Sequence, residues 1–229
     1  MLCPEFKPSF RIFLLVCRMK RYWVKMPVLM NILFPKGLIW SMPDDGAPAV
    51  YLTFDDGPHP QVTPFVIEQL EKYNATATFF CLGKNVAAYP DVYAQLLSKG
   101  HTVGNHTNNH VNGWKVSDDV YLQNIEEAGT GIQSRLFRPP YGKIKRSQAR
   151  KLLSSVPPWK IYMWDVLSGD FDVDISPEKC LTNVVKHIKP GAIVVFHDSA
   201  KAWPRMGYAL QGVLDYCKKQ GWEMRGLPK

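Results

Sequence analysis

Two short stretches hold the residues best suited to chemistry. Thr53-Phe54-Asp55-Asp56-Gly57-Pro58 places adjacent carboxylates where an apolar run, residues 49–54, meets a Gly-Pro turn. His106-Thr107-Asn108-Asn109-His110 places two imidazoles four residues apart, on one face if the segment is helical. Two histidines and one carboxylate form a common shell for a catalytic divalent metal that keeps open positions. The second carboxylate would then stand beside the metal, free to take a proton from water. Each stretch alone has a plainer reading, as a solvated Asp-Gly turn or a chance surface pair. Their joint presence in one chain makes coincidence a poor explanation and favours a catalytic metal site.

Three later segments are suited to complete such a site. Leu136-Phe137-Arg138-Pro139-Pro140-Tyr141-Gly142 ends an apolar run in a stiff turn. Its Arg138 offers a planar fork of donors for a carboxylate, and the two prolines fix the backbone after it. Ile193-Val194-Val195-Phe196-His197-Asp198 delivers His197 from an apolar strand as a candidate acid. Met163 to Asp172 contains Asp165, Asp170 and Asp172; one of these carboxylates could orient His197 and raise its pKa.

The elements that must carry these residues alternate. Short apolar runs at 49–54, 77–81, 102–105, 135–138, 161–166, 192–197 and 222–226 read as strands. Between them, 62–73, 86–99, 117–133, 147–154, 177–188 and 207–220 read as helices. Ser176-Pro177-Glu178 is a helix start, with a capping hydroxyl and proline at the first helical position. Alternation of this kind builds parallel βα units. Asp55, His106, Arg138, Asp170 and His197 each fall at or just after the C-terminal end of a different strand. In a barrel those ends share one mouth, whereas in an open sheet they would spread along an edge, so a barrel is expected.

Taken in order, Thr53–Pro58, His106–His110, Arg138–Gly142, Trp164–Phe171 and Val194–Asp198 resemble the five motifs of the polysaccharide deacetylases. This is carbohydrate esterase family 4, or the NodB-homology domain, and the likeness runs over about residues 48–226. The resemblance implies a distorted (β/α)7-8 barrel in a single α/β domain. The implied activity is hydrolysis of N-acetyl, sometimes O-acetyl, groups of carbohydrate. N-acetylglucosamine-containing glycans such as peptidoglycan or chitin-type oligosaccharides are the first expectation. It further implies that Asp56, His106 and His110 hold a divalent metal, usually zinc, with cobalt or another divalent ion as alternatives. Asp55 would be the general base paired with Arg138, His197 the general acid tuned by Asp170, and Tyr141 the donor of a backbone N–H to the oxyanion. Two departures stand out. Phe171 replaces a frequent Trp, and Asp165 and Leu167 occupy positions where Ser and Asp are frequent. Asp165 therefore competes with Asp170 as the residue that orients His197.

Two other readings compete. A relative of the same fold could deformylate or deacetylate a lipid-linked amino sugar. A catalytically silent carbohydrate-binding domain would need neither base nor acid, which disfavours it.

Composition bounds the rest. The chain has 229 residues, enough for one domain with a substantial core. Its net charge of +8 is concentrated at the start, where Lys7, Arg11, Arg18, Lys20, Arg21 and Lys25 face Glu5 alone. Downstream there is no basic stripe interleaved with aromatics, so nucleic acid is not an expected partner; the carbohydrate partner is what the resemblance implies. Residues 1–47 read as a basic leader and connecting segment, and 48–229 as the catalytic domain. The apolar run Ile12–Cys17 is too short to cross a bilayer and lacks the features of a signal peptide. The leader is a candidate for peripheral membrane contact, or marks a true start at Met19 or Met26. By default this places the protein in the cytoplasm or at a membrane surface. Cys3, Cys17, Cys81, Cys180 and Cys217 are odd in number and widely spaced, as for reduced, packed thiols. The oligomeric state is not legible.

Overall fold

The computed structural model describes residues 22–27, 34–43 and 46–229. The apolar run Ile12–Cys17, most of the basic leader, Cys3 and Cys17 lie outside the described residues. The described residues form nine strands, seven α-helices and one 3-10 turn at Pro140–Gly142. They run β1 (Leu38–Ile39), β2 (Ala49–Asp55), α1 (Val62–Lys72), β3 (Thr78–Cys81), α2 (Gly83–Ala88), α3 (Pro90–Ser98), β4 (Thr102–Asn105), α4 (Asp118–Gly129), β5 (Leu136–Phe137), α5 (Arg146–Leu153), β6 (Lys160–Tyr162), β7 (Val166–Leu167), α6 (Pro177–Val185), β8 (Ile193–His197), α7 (Trp203–Gln220) and β9 (Glu223–Met224).

One parallel sheet orders the strands β1-β6-β5-β4-β3-β2-β8-β7, with β9 pairing the start of β2. The sheet curls into a distorted barrel left open on one side, because its two end strands, β1 and β7, do not pair with each other. Parallel pairing aligns all C-terminal ends at one mouth. Asp55 lies directly opposite His197 across β2 and β8. Asn105 lies opposite Phe137 across β4 and β5, so residues 106 and 138 leave neighbouring strands side by side.

Strand β2 is buried along its whole length, and its residues alternate between two apolar layers. Val50, Leu52 and Phe54 face the helices, where Phe54 stacks between Phe79 at 5.0 Å and Phe196 at 5.8 Å. Ala49 and Tyr51 face the barrel interior with Phe80, Leu136, Tyr162, Ile193 and Leu227. By the same alternation Thr53 and Asp55 point inward, above that plug. The α6 cap forms as expected, with the Ser176 hydroxyl accepting from the Lys179 N–H. Cys81, Cys180 and Cys217 are buried free thiols.

Three expectations change. The single helix at 86–99 is two, α2 and α3, because Pro90 starts a new helix and cannot continue the old one. The run 161–166 is likewise two strands. Between them Met163 donates its N–H to Ile39 O and Asp165 its N–H to Ile193 O, so the chain crosses from one end of the sheet to the other. Finally, the sheet takes in β1, from the stretch read as a connecting segment. Among the described residues, no helix is long and apolar enough to cross a membrane.

Candidate active site

The two adjacent carboxylates diverge because the backbone turns between them. Asp55 is still on the strand and points inward. Asp56 adopts a left-handed conformation, φ 80°, which is uncommon for a residue with a Cβ. That turn swings its side chain to the mouth. Asn85, at the start of α2, holds the turn by donating to Asp56 O at 2.7 Å.

Asp55 is gripped by Arg138, whose side chain is fully buried. One guanidinium nitrogen donates to Asp55 Oδ1 at 2.8 Å and Thr53 Oγ1 at 2.6 Å; the other terminal nitrogen donates to Met163 O at 2.8 Å. The guanidinium plane lies 4.2 Å over the Phe80 ring. A charge this deep persists only when paired and hydrogen-bonded, and here both conditions hold.

The histidine pair is not helical, contrary to the geometry considered from its spacing. Residues 106–110 form a loop with left-handed Thr107 (φ 67°) and His110 (φ 58°). Side chains of neighbouring elements hold it in that shape. Asn105 Oδ1 accepts the Thr107 N–H, and Asn124 Oδ1 on α4 accepts the N–H groups of Asn108 and Asn109. Both imidazoles nevertheless reach Asp56, whose Oδ1 lies 3.2 Å from His110 Nε2 and 3.7 Å from His106 Nε2.

These three residues fit a divalent metal. Their ligating atoms lie within 4.8 Å of one another. Asp56 Oδ1 is buried without a hydrogen-bond partner, an arrangement costly for an anionic oxygen with nothing to receive. His106 Nδ1 must donate to the Arg138 carbonyl at 2.8 Å, since a carbonyl only accepts, so its Nε2 presents a lone pair toward Asp56. An outer hydrogen bond of this kind fixes the tautomer of a ligating histidine. Burial pulls the His106 pKa down to about 4, which keeps the ring neutral. Burial raises the Asp56 pKa, but His110, His197 and His106 outweigh it and hold the carboxyl well below its usual range.

On the opposite side of β2, His197 meets Asp170. Asp170 Oδ1 lies 2.8 Å from His197 Nδ1, and its Oδ2 accepts the His197 backbone N–H at 2.7 Å. Burial alone would lower the His197 pKa, but the Asp170 charge and hydrogen bond lift it to about 10. Asp165 is elsewhere, ion-paired with Lys25. Tyr141 closes the mouth on the side of His110. It is left-handed (φ 59°) and packs its ring 4.4 Å from that of His110. Its backbone N–H has no hydrogen-bond partner among the described residues.

Residues 43–156 match the polysaccharide deacetylase family. Two peptidoglycan-N-acetylglucosamine deacetylases of Bacillus cereus are each 32% identical to this chain. One alignment covers 74% of this chain and 61% of the relative, and the other covers 85% and 93%. The chain thus spans about three fifths of the length of the first relative and nearly all of the second. The chain belongs to the polysaccharide deacetylase family. It is accordingly a hydrolase of the carbohydrate esterase family 4 type. A solved peptidoglycan N-acetylglucosamine deacetylase shares its fold with a TM-score of 0.76 at 30% identity, over 84% of this chain and 91% of that one.

One residue of this family member was not singled out from sequence. Asp198 is fully buried behind the turn at Asp56 and Gly57. It accepts the Gly57 N–H at 3.0 Å and the Thr63 hydroxyl, and its own N–H donates to Asp55 O. A Cβ on Gly57 would sit 2.0 Å from Asp198 Oδ2, so only glycine fits. Burial pushes the Asp198 pKa up to about 8 against those hydrogen bonds. Its place directly after His197 on a strand end was the available signal.

Proposed function

We propose that this protein removes N-acetyl groups from N-acetylglucosamine units of a glycan of peptidoglycan or chitin type, using a divalent metal, zinc first, held by Asp56, His106 and His110. Support comes from the family, from the names of the relatives and from the donor set. When bound, the metal would polarise the amide carbonyl and make water more acidic. Asp55, fixed by Arg138, takes the proton of the attacking water. The free Tyr141 N–H is available to the oxyanion that develops on the carbonyl oxygen. The leaving amine is a strong base and must be protonated to depart. His197, kept as imidazolium by Asp170, supplies that proton from the side of β2 opposite Arg138.

The observation that carries the reading is the pairing of a guanidinium-held carboxylate with a carboxylate-held imidazole, one residue opposite the other across β2 and β8. A binding domain would not need a base and an acid each with its own charged partner.

The test is acetate release from N-acetylglucosamine oligomers and from peptidoglycan, with and without added zinc. A formylated lipid-linked amino sugar serves as a third arm. Zinc-stimulated acetate release from at least one of the two glycans is expected. No acetate from either glycan overturns the reading, and formate from the third arm alone redirects it to the lipid-linked sugar.

A further inference from the structure

The leader residues that the structure describes lie against the part of the site that holds the acid. β7 is two residues long and ends the sheet, so its outer edge would otherwise be bare. Val24 to Met26 covers it. Lys25 pairs antiparallel with Val166, Val24 O accepts the Leu167 N–H at 2.8 Å, and Met26 donates its N–H to Asp165 O at 2.9 Å. The Lys25 ammonium adds its ion pair with Asp165, and the Val24 side chain is buried.

From that anchor Tyr22 reaches the loop after β7. Its hydroxyl donates to Asp172 Oδ2 at 2.8 Å, and its ring centroid lies 5.1 Å from that of Phe171. The hydroxyl also sits over Gly169, where a Cβ would lie 2.7 Å away, and Gly169 has φ 81°, so glycine is required on both counts. Phe171 in turn packs 5.3 Å from His197. Asp170, between Gly169 and Phe171, makes the two bonds to His197 described above. On the far side the same loop is held by Asn183 to Ser168 O at 2.9 Å and Arg205 to Asp170 O at 2.6 Å. The loop is therefore clamped from two sides, and Tyr22 provides the leader's side.

We infer that Tyr22 is a positioning residue for the Asp170–His197 pair, and that residues 22–27 act as a strap fixing the loop that carries Asp170. The role of the pair as general acid rests on the proposed function; the strap itself rests only on packing. Tyr22 touches none of the reacting atoms in this account and works through Phe171, Gly169 and Asp172.

The experiment compares the protein with its Tyr22→Ala and Tyr22→Phe variants. For Tyr22→Ala, a roughly tenfold drop in kcat with little change in KM is expected, since small displacements of a catalytic group cost rate more than binding. Tyr22→Phe keeps the ring against Phe171 and should recover most of that rate. The independent readout is the NMR titration of the His197 imidazole. Its charged neighbours are Asp170, Asp56 and Asp55, and a loosened Asp170 should move the midpoint to lower pH in Tyr22→Ala, by about half a unit or more. An unshifted midpoint with wild-type kcat in Tyr22→Ala overturns the strap. A wild-type protein that releases no acetate overturns the proposed function instead, and the titration still decides the strap.

Discussion

Asp55 and Asp170 are both carboxylates that hold a charged partner at the mouth, yet they are built in different ways. Asp55 sits on the central strand, and Arg138 reaches it from the end of β5 while also bonding Thr53 on β2 and the backbone after β6. Every group in that arrangement is set by sheet pairing. Asp170 instead stands on the loop between β7 and α6, held by Arg205, Asn183 and the leader residue Tyr22. The Asp55 side, the base side of the proposed mechanism, is a consequence of the fold, so it can be broken but hardly adjusted. The Asp170 side, the acid side of the proposed mechanism, depends on loop contacts from three separate elements, so substitutions there should tune the reaction.

The contrast is tested most severely at Arg138. Arg138→Met should cost about 3–5 kcal/mol of stability by urea unfolding, because it leaves the Asp55 carboxylate buried and unpaired. Activity should be lost with it. A cost below about 1 kcal/mol, the worth of a surface pair, would break the claim that the base side belongs to the core.

Asp55→Asn separates stability from chemistry. The amide oxygen can still accept from Arg138, so the fold and the metal should be kept. Steady-state assays should show a loss of about 10²–10⁴-fold, as for a missing general base. Near-wild-type rates would place the base elsewhere.

On the acid side the expected effect is a shift. In the proposed mechanism His197 acts in its protonated form, and with its pKa raised to about 10 the rate should fall as pH climbs through that range. The same shift stabilises the fold below the ordinary histidine pKa, and that contribution fades as pH rises toward about 10. Asp170→Asn removes the charge that lifts the His197 pKa against burial, and the alkaline limb of the pH–rate profile should move to lower pH. Asp165→Asn should leave the limb in place. The reverse pattern would mean that the loop presents a different carboxylate to His197.

Much of this site was legible because strand ends are legible. Apolar runs closed by Gly-Pro, Pro-Pro or a charged residue marked where β2, β5 and β8 stop, and parallel pairing then forced those stops together. What escaped depends on contacts remote in sequence. The loop carrying His106 and His110 takes its shape from Asn124, 14 residues beyond His110 on another element. Asp198 was passed over because its partners, Gly57 and Thr63, lie some 140 residues earlier. The leader's charge pattern points to a surface segment, yet Val24 and Lys25 pack on β7 and Tyr22 on the loop that follows it. The break at Pro90, by contrast, was readable from the proline itself.

Metal content tests the central claim most directly. Elemental analysis of dialysed protein should give one divalent ion per chain in wild type and in Asp55→Asn, and far less in His106→Ala and His110→Ala. Equal metal in wild type and both histidine variants would contradict the assignment of Asp56, His106 and His110 as the metal site.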